Sequence, residues 1–302
     1  MRRLAGVLQH GITGLLGITR NTSRLEHSIG VMILVRRLGA PLEEQIAALL
    51  HDVSHTAFSH VIDYVFDGHD SQSYHEGEKE AFIAVSDVPQ ALARHGYDWR
   101  DFLHEDRFPL LEQPAPALCA DRLDYFLRDC GDLGLATSGQ VRRALEHLVV
   151  HAGRIVVDEA EAARWMADTY LQADAASWAN FREVGLYELT AQAIKTALRI
   201  GAIHTADLWG TDAELWAKLN AATDAELQRQ LKLISPRTQF VWDERAPTFR
   251  VSSKLRTLDP DVWIDGRLFR LSTIDADLAR LRDDYLSSRQ GKWPMRVVPP
   301  AE

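Results

Sequence analysis

The stretch "ALLHDVSHTAFSH", residues 48–60, constrains this chain more than any other. It closes the apolar run Ile46 to Leu50 and then places three histidines and an aspartate within ten positions. An amphipathic helix buries such a run, so its C-terminal end carries His51 and Asp52 into low-dielectric surroundings. A carboxylate there is costly unless a cation pairs with it. A divalent metal meets that need, since imidazole and carboxylate together suit Mn, Fe, Zn or, less readily, Mg. His51 and His55 are four apart and share a helix face, whereas adjacent residues such as His51 and Asp52 sit about 100° apart around the axis. His51 and Asp52 can therefore meet one ion only beyond the helix edge, with further ligands from other helices.

Two such ligands stand out. "SRLEHSIGV" puts His27 at the start of one apolar helix, and "ALCADRLDYFLRD" puts Asp121 in another, in a stretch too apolar to bury a lone carboxylate comfortably. Nine of the twelve histidines precede residue 121, which supports a cluster. Taken singly, His69, His95, His104, His147, His151 and His204 read as ordinary surface or hydrogen-bonded histidines.

Periodicity and helix-start signals predict helices over Ser28–Leu38 and Pro41–Leu50, then near 56–66, 115–130, 139–150, 158–172, 176–200 and 211–233. After Pro236 the pattern changes. "TQFVWDE", "TFRVSS" and "VWIDGRLFRL" read as short strands, the last with an Asp265-Gly266 turn, before a helix near 273–287 and the extended tail "WPMRVVPP". The expected fold is mostly α, a helical body with a small C-terminal α+β appendage. A net charge of −9 argues against nucleic-acid or anionic-membrane surfaces. Cys119 and Cys130 match no metal or disulfide spacing and read as reduced core thiols. Gln9 and His10 interrupt the apolar N-terminus, so no signal peptide is expected, and no window offers a membrane span. The chain reads as cytoplasmic.

In order along residues 9–130, "SRLEHSIGV", "LLHDVSHTAFSH", "YHE" and "DRLDYFLRD" resemble the HD-domain phosphohydrolases. The likeness is to the branch of the bacterial deoxyguanosine triphosphate triphosphohydrolases and the vertebrate SAM-and-HD-domain dNTP hydrolase. The resemblance implies an HD-domain helical bundle in residues 1–135, a helical extension of the same body in 136–235 and a small α+β region in 236–302. It implies a divalent metal ion (Mn, Mg, Fe, Co or Zn) held by His27, His51, Asp52 and Asp121. Such a site, with positions left open, activates water and polarises a phosphoryl group.

By the same resemblance His55, His60 and His75 line the active site, with Asp63 as the acidic partner of one of them. His60 and Asp63 are three apart and can meet on one helix face. Arg24 would contact phosphate or base, Arg122 phosphate, Tyr125 and Asp129 the sugar, and Gln9 a sugar hydroxyl. The implied partners are a nucleotide substrate and further copies of the chain. The implied reaction converts a deoxynucleoside triphosphate to nucleoside and triphosphate. A phosphatase on nucleoside monophosphates or another small phosphoester, and a non-catalytic nucleotide-sensing module, are the alternatives. One departure bears on substrate. Where the family's later helix grips phosphate with several cations, "ADAASWANFREVGLYELTAQAIKTAL" offers Trp178, Asn180 and only Arg182.

Overall fold

The computed structural model describes residues 1–20, 22–66 and 72–300; His69 lies outside the described residues. The first long helix, Arg24–Arg37, begins in a capping box in which Ser23 and Glu26 satisfy each other's backbone N–H groups. Helix Leu42–Leu50 follows Pro41 and packs on it, as the apolar spacing predicts. Its Glu44 is buried and accepts the N–H groups of Leu110 and Leu111 at 2.7 and 3.1 Å, which fixes the segment leading into helix Ala120–Asp132. That helix starts later than the sequence pattern suggests, because Pro114 and Pro116 interrupt it and the chain turns there, Ala117 N–H donating to the Pro114 carbonyl.

The helix expected near 56–66 shrinks to Val61–Val65. Phe58 and Ser59 adopt positive φ (60° and 49°), so the histidine-rich stretch is a turn rather than a helical face. Buried Asp212 pins this turn by accepting the N–H of Phe58 at 2.7 Å and that of Leu8 at 2.9 Å. Gly11, at φ 50°, lies so close beneath it that a Cβ there would stand 2.3 Å from the Phe58 carbonyl oxygen. Further along, Ser73 opens helix Tyr74–Ala84.

Helix Ser138–Glu146 stops short of the expected residue 150, since Leu148–His151 and Arg154–Val157 form a hairpin, β1 and β2, around Ala152-Gly153. Both turn residues have positive φ, the geometry of a type I′ turn. Helix Ala160–Ala173 runs into a single π-turn, Asp174–Trp178, and then helix Phe181–Arg199. The stretch 211–233 divides into Asp212–Ala221 and Ala225–Leu233, the second capped by Asp224.

β3 (Gln239–Trp242), β4 (Phe249–Val251), β5 (Asp261–Ile264), β6 (Arg267–Arg270) and β7 (Trp293–Val298) complete the strands. The order β1-β2-β5-β6 makes one sheet, with the Asp265-Gly266 turn where the sequence puts it. The second sheet is β3-β7-β4, so the C-terminal tail is its central strand. Helix Ala276–Arg289 lies between β6 and β7 in sequence. A mostly α body with a small C-terminal sheet region is therefore the observed class.

Two apolar clusters fill the interior. One gathers Val35, Leu123, Phe126 and Tyr170; the other gathers Phe58, Ile62, Leu186 and Ile194. The histidine turn runs from one to the other, since Val53 belongs to the first and Ala57 to the second.

Candidate metal centre and cavity

Three helix regions bring His27, His51, Asp52 and Asp121 together. His27 Nε2 lies 2.9 Å from Asp121 Oδ1, 3.2 Å from His51 Nε2 and 3.6 Å from Asp52 Oδ2. His51 Nε2 lies 3.5 Å from both Asp52 Oδ1 and Asp121 Oδ1. The outer ring nitrogens are taken: His27 Nδ1 faces Asp124 Oδ2 at 2.9 Å, and His51 Nδ1 faces the Ala48 carbonyl at 2.7 Å. With those protons on Nδ1, both Nε2 lone pairs turn to the centre, where they meet only each other and two carboxylates.

Four acceptors around one point require a positive charge between them. Burial opposes a charged His27, yet Asp121 and Asp124, as hydrogen-bond acceptors for its ring, raise it to about 10. Burial likewise opposes a charged His51, and Asp52 and Asp121 raise it. Asp52 and Asp121, despite burial, are held well below the usual carboxylate range by Arg24 and by the two imidazoles respectively. The donor separations bracket the ~3.0–3.4 Å between neighbouring ligands around an ion with bonds of about 2.1 Å. The residues fit a divalent metal, with Asp124 as the carboxylate that orients the His27 ring.

Asp52 also faces outward. His55 Nε2 approaches its Oδ1 at 3.1 Å, and Arg24 donates to its Oδ2 at 2.8 Å and to Ser59 at 3.0 Å. His75 stacks on His55 with ring centroids 3.8 Å apart, and His60 stands edge-on to both at 5.1 and 5.7 Å. Burial lowers all three rings, His55 to about 3 and His75 well below its ordinary value. Burial thus favours the neutral form of each ring. His60 Nδ1 donates to Asp63 Oδ2 at 3.0 Å, and Tyr74 N–H holds the other Asp63 oxygen. The spacing read from sequence therefore does bring His60 and Asp63 into contact.

This cluster opens into a cavity of about 290 Å³, lined also by Gln9, Arg24, Arg122, Tyr125 and Asp129. Arg122 is anchored by the carbonyls of Ala117 and Gln113 and reaches Glu112 at 3.5 Å. The Tyr125 hydroxyl lies 2.6 Å from that of Tyr170. Asp129 accepts the Trp178 indole N–H at 2.7 Å. The later helix offers little phosphate grip, in keeping with its sequence. Asn180 caps it by accepting the Arg182 N–H, and the Arg182 guanidinium turns outward to the Pro236 carbonyl. Neither lines the cavity.

Several lining residues escaped the sequence. His10 lies 3.1 Å from Asp129 and 4.0 Å from Glu183, and burial notwithstanding, these carboxylates raise it to about 9. Its one signal was adjacency to Gln9. Lys254 and Arg256 arrive from the segment after β4, which carries no periodic pattern to reveal them. Buried Asp174, in the π-turn, accepts the Arg256 backbone N–H at 3.0 Å and the Tyr285 hydroxyl at 2.8 Å, so it fastens that segment over the cavity.

A helical body whose His-Asp pair converges with a preceding histidine and a following aspartate on a cation site defines an HD-type metal centre. Comparison with known proteins agrees. The HD domain family matches residues 24–129. The chain is 41% identical to Metal-dependent phosphohydrolase cns2 of Cordyceps militaris, over 96% of this chain and 86% of that one. It is 39% identical to the uncharacterized protein YdhJ of Bacillus subtilis, over 97% and 90%. A hypothetical protein from Aquifex aeolicus shares the fold, with a TM-score of 0.72 at 18% identity over 99% of this chain and 89% of that one. The chain belongs to the HD-domain family of metal-dependent phosphohydrolases. Its cofactor is a divalent metal ion. Among the described residues no helix is long and apolar enough to cross a membrane.

Proposed function

We propose that the chain hydrolyses a phosphomonoester of a nucleotide, with His27, His51, Asp52 and Asp121 holding the metal and His55, His60 and His75 moving protons. The observation that carries this reading is the continuity of the metal cluster, three neutral imidazoles and a polar cavity of nucleoside size. When bound, the ion supplies Lewis-acid polarisation of a phosphoryl oxygen. Arg24, fixed by Asp52 and Ser59, presents a guanidinium beside the same oxygens. His60, held in one tautomer by Asp63, keeps Nε2 available to exchange a proton with attacking water or leaving oxygen. His55 donates to Asp52 and supports the stacked His75, whose Nδ1 is buried without a hydrogen-bond partner among the described residues. A pure sensor has no use for three such rings.

Charge favours a substrate with few phosphates. Arg24, Arg122, Lys254 and Arg256, with His10 raised to about 9, face seven carboxylates in the lining, so a divalent ion brings the wall only to neutrality and leaves little excess positive charge for a long phosphate chain. Burial and Asp121 push Glu112 up to about 7. A deoxynucleoside triphosphate, released as nucleoside and triphosphate, is the second reading. It draws support from Arg122 and Arg256 lying close enough to Lys254 to depress its ammonium group, after burial itself. Phosphorus NMR of reactions with Mn²⁺ and a panel of nucleoside mono- and triphosphates separates the two. Faster orthophosphate release from monophosphates is expected; tripolyphosphate as the dominant product replaces this reading with the second.

A further inference from the structure

The histidine turn is gripped from outside the cavity as well as lining it. Residues 53–58 form no helix or strand, so bonds from other parts of the chain decide their course. Arg3, in the short 3₁₀ helix Arg2–Gly6, is not part of the cavity wall. Its Nη2 donates to the carbonyls of Val53 and His55 at 2.9 and 2.6 Å, and its Nη1 to that of Gly210 at 3.2 Å. The guanidinium is steadied by the Phe82 ring, whose centre lies 5.0 Å away and which stacks on Trp209. The segment that offers Gly210 also holds the turn's N–H groups: the Leu208 carbonyl accepts that of Ala57 at 2.8 Å, and Asp212 that of Phe58 at 2.7 Å.

The His55 ring has little to hold it directly. Nε2 approaches Asp52 Oδ1 at 3.1 Å, but the buried Nδ1 has no hydrogen-bond partner among the described residues. Its stacking on His75, with centroids 3.8 Å apart, therefore depends on where the backbone places it. We propose, on the proton-transfer reading above, that Arg3 is a positioning residue for His55: by fixing the Val53 and His55 carbonyls it sets the peptide from which the imidazole meets Asp52 and His75, and so governs turnover from outside the cavity. Metal binding runs through other bonds. His51 and Asp52 precede the carbonyls that Arg3 holds and are anchored separately, by the Ala48 carbonyl and by Arg24. A planar fork reaching three carbonyls is a task for guanidinium, since an ammonium is a compact point charge.

The test measures kcat, KM and bound metal for hydrolysis of a nucleoside monophosphate by the full chain loaded with Mn²⁺. Arg3→Ala should lower kcat by about 10–100-fold, the scale of a misplacement near 1 Å in a catalytic group, with KM and metal content near those of the wild type. Arg3→Lys should recover only part of that loss, and carries the test if Arg3→Ala does not fold. Millimolar guanidinium chloride, far below denaturing concentrations, should restore Arg3→Ala and leave the wild type unchanged, which a merely loosened fold would not show. In a His55→Ala background, Arg3→Ala should cost nothing further, because its effect passes through that ring. Full kcat in Arg3→Ala or Arg3→Lys, metal lost in step with kcat, or an equal loss with His55 absent would overturn the proposal while leaving the hydrolytic reading intact. A wild type that turns over no nucleotide with bound Mn²⁺ would remove that reading and this inference together.

Discussion

The proposed ligand roles of His27 and His51 rest on their partners: Asp124 and the Ala48 carbonyl take the outer imidazole protons, and the inner lone pairs are left facing one another. His51→Ala or Asp121→Ala should therefore abolish bound metal and turnover together, as read by metal analysis of purified protein. Asp124→Asn touches only the ring that ligates, so metal affinity should fall by about 10–100-fold without vanishing. The proton-moving histidines should behave differently. His60→Ala and His75→Ala should retain metal and lower kcat by roughly 10²–10⁴-fold. Retention of full kcat by both would remove them from the mechanism. His10 makes a separate prediction about pH. Its folded pKa is raised to about 9, so its contribution to stability is complete below about pH 6.5 and is lost as pH rises through 9. The scale is on the order of 3 kcal/mol for a buried pair. Thermal melts of the wild type should lose stability between pH 6.5 and 9 more steeply than those of His10→Gln; parallel curves would show that the ring is neutral throughout.

At the scale of elements, the metal centre depends on how closely helix Arg24–Arg37 approaches helix Ala120–Asp132. Gly30 makes that approach: a Cβ there would stand 2.0 Å from Asp124 Oδ1 and 2.3 Å from an Arg128 nitrogen. Asp124 cannot swing aside freely, being bound to His27 and to Arg128 at 2.9 and 2.8 Å. Gly30→Ala should weaken metal binding about as much as Asp124→Asn, despite lying outside the ligand set. An unchanged affinity would mean that the helices separate at no cost to the site. The sequence made most of this level legible. Apolar periodicity and the Pro41-Glu43-Glu44 start located the two helices that carry His27 and His51, and composition alone demanded a cation beside Asp52. What it hid was conformation set by distant contacts. The turn at Phe58 and Ser59 is held by Asp212, more than 150 residues away, and no local pattern announces that. Val149 and Val150 continue a helical spacing equally well as a strand, and the Ala152-Gly153 turn decides between them.

Across the whole molecule, the cavity draws on the N-terminal segment, the HD helices, helix Phe181–Arg199 and the segment after β4. Lys254 and Arg256 bring positive charge from the C-terminal region to a cavity whose other arginines, Arg24 and Arg122, come from the first half of the chain, and Asp174 and Tyr285 fasten the segment there. That union was not legible in the sequence, because those cations lie outside the four motifs that identified the family. Arg256→Ala should raise KM for a nucleotide by a factor equivalent to about 1.5–3 kcal/mol, with metal content unchanged. Loss of metal as well would mean that the segment supports the fold more than the substrate. On the proposed reading the His27, His51, Asp52 and Asp121 centre performs metal-dependent phosphoester hydrolysis. Its most direct test strips the protein with a chelator, titrates Mn²⁺ back, and follows bound metal and orthophosphate release from a nucleoside monophosphate in the same samples. Release should rise in step with bound metal, and Asp121→Ala should show neither; hydrolysis that survives chelation, or persists in Asp121→Ala, would rule out a metal-dependent reaction at this centre.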